Sequence, residues 1–204
     1  VDEKELKIIG NDPTYWWFKA KNEIIETYID TTKEILNVGA GTTNFYYATN
    51  YNGFADCMPF ADNEFHYVIL ADVLEHIPDG FRINTLKEIR RVLKRKGKLI
   101  ITVPAYGFLY NAHDRFLHHF LRYSKKELLS ELKQAGFKIK KVRYWNSILC
   151  PIIMIMKLYN KKYESQSDLK KIPRCINWLL YKILKTDERI ELPFGITLLG
   201  VFEK

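Results

Sequence analysis

The segment Glu34-Ile35-Leu36-Asn37-Val38 runs straight into Gly39-Ala40-Gly41, and this junction constrains the fold more than any other part of the chain. A short apolar run followed by two glycines one residue apart reads as a buried strand ending in a tight turn. In open α/β sheets such a turn marks where backbone approaches a ligand closely, beyond the carboxyl ends of the strands. Alone, the Gly-x-Gly pattern is weak, because an ordinary strand–helix turn carries the same residues. A second run, Tyr67 to Val73, is almost continuously apolar over strand length, as expected for a strand covered on both faces.

The remaining elements alternate. Trp17, Ala20, Ile24 and Tyr28 recur at helical spacing and predict a helix over residues 15–29, entered through Asp12-Pro13. A short strand is expected over residues 54–58. Residues 80–95 have helical spacing, with Gly97 placed to end the helix, and Lys98–Val103 is the next strand, stopped by Pro104. Ser124 followed by Glu127 has capping-box spacing and opens a helix that ends near Gly136. Residues 137–144 alternate like a strand with one wet face. Two helical patterns follow, 148–159 and 173–185, separated by the polar stretch Lys161–Lys171, and residues 196–202 are β-rich. Strands alternating with helices imply a three-layer α/β sandwich around a mostly parallel sheet.

The 204 residues suffice for one domain and are short for two. Three scattered cysteines do not make a disulfide framework, no segment reads as a secretory signal, and no apolar run approaches the ~20 residues of a membrane span. A cytoplasmic protein is expected. The net charge of +8 is unevenly spread: residues 1–80 hold 5 Lys+Arg against 14 Asp+Glu, and residues 81–204 hold 27 against 10. Such blocks speak of partners rather than fold.

The stretch GFADCMPFADNEFHYVILADVLEHIPD, followed by a helix and RKGKLIITVPA, resembles the class I S-adenosylmethionine-dependent methyltransferases, in particular the type 11 and type 23 groups. The resemblance runs from about Tyr15 to Lys204. It implies a Rossmann-like sandwich with an antiparallel C-terminal strand and S-adenosylmethionine as cofactor. By that resemblance Asn37, Gly39, Ala40 and Gly41 cradle the methionine part of the cofactor. Asp56 meets the adenine amino group, Cys57 and Met58 flank the ring, and Ala71, Asp72, Val73 and His76 line the floor. The early YWWF segment, with Trp17, implies an N-terminal lid helix within residues 1–30, and residues 145–190 a helical insertion over the substrate side. An acidic cleft of Asp56, Asp72 and Glu75 suits a sulfonium cation, and backbone amides of the glycine turn suit a carboxylate. Core packing accounts for the same Trp residues equally well.

One departure stands out. The family carries a third glycine in the turn, where Thr43 stands here, then a helix, a second strand ending in an acidic residue for the ribose hydroxyls, and another helix. Residues 42–55 are too few for these, since a crossover between parallel strands takes a dozen residues or more. The second-strand region is expected to be missing, either because the domain lacks its ribose grip or because residues are left out of the sequence. The second reading is preferred, since the family pattern resumes in register after Asp56.

The loop from Pro104 to Arg122 is dense in candidates. His113, His119 and Tyr106 are expected to serve catalysis, a histidine as general base for a hydroxyl acceptor. Tyr110, Asp114 and Arg122 are expected to bind substrate, Arg122 through an anionic group. The spacing of His113, Asp114, His118 and His119 matches no ligand pattern, and no metal is expected. The helix over 148–159, with Lys157, Lys161 and Lys162, either packs as an ordinary buried helix or meets an anionic membrane surface or lipid-like substrate. The expected function is methyl transfer to a small-molecule or lipid- or sugar-linked acceptor. The rivals are an RNA methyltransferase, suggested by the basic half, and a non-catalytic binding module, suggested by the contracted ribose region.

Overall fold

The computed structural model describes residues 14–41, 45–159 and 172–204. The Asp12-Pro13 entry, Thr43, the Lys157 side chain, Lys161, Lys162 and the stretch to Lys171 lie outside the described residues. Element order is α1 (Trp16–Glu26), β1 (Ile35–Val38), β2 (Thr49–Tyr51), β3 (Phe65–Ala71), α2 (Asp79–Val92), β4 (Leu93–Pro104), α3 (Ala112–Phe116), α4 (Lys125–Gln134), β5 (Lys138–Trp145), α5 (Cys150–Tyr159), α6 (Arg174–Asp187) and β6 (Thr197–Glu203). Single 3₁₀ turns lie at Leu74–His76 and Gly107–Leu109. The six strands form one sheet in the order β2-β1-β3-β4-β6-β5. The pairs from β2 to β4 are parallel, and β6 runs antiparallel to both β4 and β5.

Alternation along each strand builds the layers. Leu36, Val38, Val68, Leu70, Leu99 and Ile101 face α2 and α4 through Leu86, Ile89, Leu128 and Leu132. Ile35, Ile69 and Ile100 face the other way onto Ile25 of α1, while Leu199 meets Ile24 and Leu184 of α6. The three-layer expectation holds. Helix α4 begins at the expected capping box, with the Ser124 hydroxyl accepting from the Glu127 amide and the Glu127 carboxylate from the Ser124 amide, and Gly136 (φ +87) follows its end.

Three expectations are corrected. A second strand is present: β2 pairs in register with β1, Leu36 opposite Thr49 and Val38 opposite Tyr51. The side chain of Asn50 braces the residues that enter β2, accepting from the Phe45 amide and donating to the Phe45 and Ala48 carbonyls. The strand expected over residues 54–58 is a turn, closed by the Cys57 amide on the Phe54 carbonyl, with Met58 pinned by Glu88 and Arg91. Helix α2 stops at Val92, not Gly97. Leu93 already pairs with Phe65, and the next pair is Tyr67 with Lys98, so residues 94–97 bulge out of β4 with Lys96 at φ 62.

The corner after β5 is fixed by buried polar groups. The carboxylate of Asp187 accepts from the amides of Ser147 and Ile148 at 3.0 Å, and Arg143 donates to the carbonyls of Asp187, Glu188 and Ile190. Asp187→Ala removes the acceptor from both amides, an expected loss of about 3 kcal/mol in urea unfolding. An unchanged midpoint would contradict this account of the corner.

Candidate active site

The order β2-β1-β3 means that the chain leaves β1 in opposite directions, so the switch point lies at the carboxyl ends of β1 and β3. Gly39 stands there at φ +68, and a Cβ on it would lie 2.6 Å from Cγ2 of Val73. The glycine turn and the segment after β3 are in contact. Its amides are engaged with the end of β2: those of Gly39 and Ala40 donate to the Tyr51 carbonyl, and that of Gly41 to the Asn52 side chain at 2.8 Å. The amides expected to suit a carboxylate are thus hydrogen-bonded to the end of β2 in this structure.

Beside the turn, Asp72 has φ 55 and a half-buried carboxylate. It accepts from the Lys21 ammonium at 2.7 Å and from the Thr102 hydroxyl at 2.8 Å. Burial acts to raise its pKa, but Lys21 and Thr102 outweigh burial and hold the group below the usual carboxylate range. Glu75 is the opposite case. It is 1% exposed, and burial together with the charge of Asp72 pushes its pKa well up. Its Oε2 has no hydrogen-bond partner among the described residues. Two neighbouring carboxyls are thereby shifted in opposite directions.

The loop after β4 closes the far side. Asp114 is fully buried and accepts from the Asn111 amide, from Arg122 Nε at 2.9 Å and Nη2 at 2.8 Å, and lies 3.0 Å from Nδ1 of His119. Arg122 also donates to the Ala105 carbonyl. Asp114 and Arg122, expected as substrate ligands, are paired with each other, and Asp114 also holds His119. Tyr110 donates to the His119 carbonyl at 2.7 Å, a further brace. The His119 ring meets the His76 ring edge-on with centroids 4.6 Å apart. His113 lies in the first turn of α3, its amide donating to Asn111. Tyr106, at φ 66, stacks on Tyr144 at 5.6 Å, and burial raises its hydroxyl pKa.

The other expected residues are scattered around this core. Trp17 stacks on Trp145 at 5.1 Å. The Asn37 side chain, buried in β1, donates to Asn50 at 2.9 Å. Asp56 and Cys57 are exposed, whereas Met58 is buried in the main core. Ala71 ends β3, half-buried. Sequence reasoning missed Lys21, Thr102, Asn52 and Asn146. Lys21 had a legible signal, since it shares the buried helical stripe of Trp17, Ile24 and Ile25. Asn146 had none: at φ 57 it is fully buried with both amide atoms unpartnered among the described residues, just beyond β5. The basic excess is partly absorbed internally, with Arg82 on Glu131, Arg91 on Glu88 and Asp62, and Arg122 on Asp114.

Residues 17–101, which run from α1 to β4 and carry the turn and the Asp72 floor, match the family model described as a methyltransferase domain. Over these residues the chain is similar to the methyltransferase domain family. It is 30% identical over 142 residues to a demethylmenaquinone methyltransferase of Staphylococcus saprophyticus, covering 56% of this chain and 60% of that protein. The chain spans about half the length of the curated relatives it matches. The fold of the methyltransferase domain is shared with a SAM-dependent methyltransferase from Archaeoglobus fulgidus, with a TM-score of 0.57, 12% identity and coverage of 92% of this chain and 93% of that one. It is equally shared with the [4+2]-cyclase SpnF, with a TM-score of 0.57, 16% identity and coverage of 97% and 85%. The fold alone therefore does not fix the chemistry.

S-adenosylmethionine, the cofactor of this class, fits the methyltransferase domain at two places. Gly39 leaves no room for a Cβ beside Val73, so backbone stands bare at the switch point, and the Asp72 carboxylate, paired with Lys21, lies next to it. At a third place the domain departs from the family: Asn52, a neutral amide tied to Gly41, follows β2 where an acidic residue for the ribose is usual. Among the described residues no helix is long and apolar enough to cross a membrane.

Proposed function

We propose that the protein transfers a methyl group from S-adenosylmethionine to a small acceptor with a lipid-like apolar portion. The contact between Gly39 and Val73 at the switch point, beside Asp72, carries the first half of this reading, because it puts close backbone and a carboxylate where a cationic cofactor is held. The bound cofactor supplies a methyl carbon already activated by its sulfonium leaving group. The chain's residues then have to align the acceptor and take its proton. His119 is the base that the geometry supports best: Asp114 accepts from Nδ1, which leaves Nε2 to receive a proton. Tyr106 and His113 border the same loop and remain candidates for acceptor contact.

The acceptor class rests on α5 and α6. Helix α5 exposes Ile152, Ile155 and Met156, and α6 exposes Trp178 and Leu179 with Lys182 over the Trp178 ring. An apolar face edged by cations suits a lipid-linked acceptor at an anionic surface. The menaquinone precursor in the name of the Staphylococcus saprophyticus relative points the same way.

Calorimetric titration with S-adenosylhomocysteine tests the cofactor half, and absence of binding would overturn the reading. Methyl-labelled S-adenosylmethionine with a cell extract tests the acceptor. Label in the organic-soluble fraction is expected, and label confined to RNA would favour the nucleic-acid rival. Asp56→Ala should weaken S-adenosylhomocysteine binding about tenfold or more through loss of a charged hydrogen bond to adenine. Unchanged affinity would remove Asp56 from the site.

A further inference from the structure

We propose that Glu75, His76 and His119 form a binding site for a divalent first-row transition ion. A carboxylate oxygen of Glu75 and one ring nitrogen from each histidine lie within 4.8 Å of one another. Donors around such an ion sit at about 2.0–2.2 Å from it, so these three need to draw in by only about 1 Å to share one. They come from two segments fixed independently. Glu75 and His76 lie on the 3₁₀ turn after β3, and His119 lies at the end of the loop after β4. The two segments are joined beside the donors by the Phe120 amide, which donates to the Glu75 carbonyl at 2.8 Å.

Three features separate this cluster from a chance meeting of polar side chains. Glu75 is 1% exposed, yet its Oε2 has no hydrogen-bond partner among the described residues, and a buried carboxyl of that kind requires an explanation. A cation between it and the histidines is one. Next, Asp114 accepts from His119 Nδ1, which fixes the ring and leaves Nε2 as the nitrogen open to an ion. This carboxylate–histidine pairing is the usual support of a metal-bound imidazole. Finally, the nearby cations are already neutralised, Arg122 by Asp114 and Lys21 by Asp72, so neither opposes a further positive charge.

The donor set selects the ion. Two imidazoles and one carboxylate suit zinc, iron, cobalt or nickel, whereas magnesium and calcium prefer oxygen donors throughout. Three protein donors leave coordination positions open, the pattern of catalytic rather than structural sites. An oxygen of the methyl acceptor could take such a position, where the ion, in place of the His119 imidazole, would promote loss of its proton; that role rests on the methyl-transfer reading above, whereas the site itself does not. The sequence expectation of no metal considered only residues 113–119, and the cluster becomes visible once the fold brings Glu75 and His76 across to His119.

Titration of the metal-free full chain with Zn²⁺, without cofactor, tests the site separately from methyl transfer. One ion per chain is expected, with affinity reduced about 10–100-fold or more in Glu75→Gln, His76→Gln and His119→Gln, each checked for folding by circular dichroism. Co²⁺ bound at the same site should show visible absorption bands of nitrogen and oxygen ligation, unchanged in Cys57→Ser and Cys175→Ser. Mg²⁺ at equal concentration should not displace Zn²⁺. The proposal is overturned if Zn²⁺ does not bind, if the three glutamine variants bind it as the parent does, or if either serine variant abolishes binding.

Discussion

Lys21→Met is expected to destabilise the protein by about 3 kcal/mol in urea unfolding, because it leaves a half-buried carboxylate without its counter-ion. The Lys21 side chain is 3% exposed, lies with its ammonium 5.5 Å from the Phe18 ring centroid, and makes the 2.7 Å ion pair with Asp72. With the ammonium gone, Asp72 retains only the Thr102 hydroxyl as a side-chain partner among the described residues, and its charged form is poorly solvated. Lys21→Met combined with Asp72→Leu should recover most of the loss, since an apolar pair removes both desolvation penalties. If the single and double variants are equally unstable, the ion pair is not the cause.

The pair also sets a pH dependence. The Asp72 carboxyl is held below its usual range in the folded state, so its contribution to stability is present above the unfolded value of ~3.9. It is lost as pH falls through the lower folded value. In Lys21→Met the opposing effect of burial dominates, and the acid limb attributable to Asp72 should flatten. A parallel acid limb in parent and variant would refute the assignment.

Gly39→Ala is expected to abolish measurable S-adenosylhomocysteine binding and to lower stability. Backbone at φ +68 costs an L-residue about 1–2 kcal/mol. The added methyl would lie 2.6 Å from Cγ2 of Val73, so Val73 or the turn has to move. Val73→Ala in the same chain relieves the contact but not the backbone strain. Partial recovery of the melting temperature is therefore expected without recovery of binding. Full recovery of both would show that only the contact matters, and full binding in Gly39→Ala would remove the turn from the site.

The legible parts of the fold were those specified by short-range pattern. The apolar runs of β1 and β3, the Ser124–Glu127 box before α4 and the glycine turn each carry their structure within a few residues. What could not be read depends on contacts made across the chain. The β2 strand exists because Asn50 stitches residues 45–50 to Asn37, a hydrogen-bond arrangement that composition does not reveal. Gly97 looked like a helix end, but pairing of Leu93 with Phe65 starts the strand four residues earlier. In the site, the residue types in the loop after β4 were legible and their partners were not. Arg122 and Asp114 looked ready for a ligand because a sequence cannot show that they face each other, and the proximity of His119 to Glu75 spans two separate crossovers.

The layer made by α1 and α6 joins distant parts of the chain: the Trp16 amide donates to Asn177, and Glu23 meets both Tyr181 and Lys185. It is therefore a late event in folding, since closing so long a loop costs entropy before any contact compensates. During synthesis, the apolar face of α1 with Ala20 and Ile24, and Trp145 beside it, has to wait for Leu184 of α6 before its cover is complete. A ribosome-bound chain stopped before α6 would present that face to its surroundings, so the interval in which this protein is most prone to aggregate is written into the separation of its two partner helices.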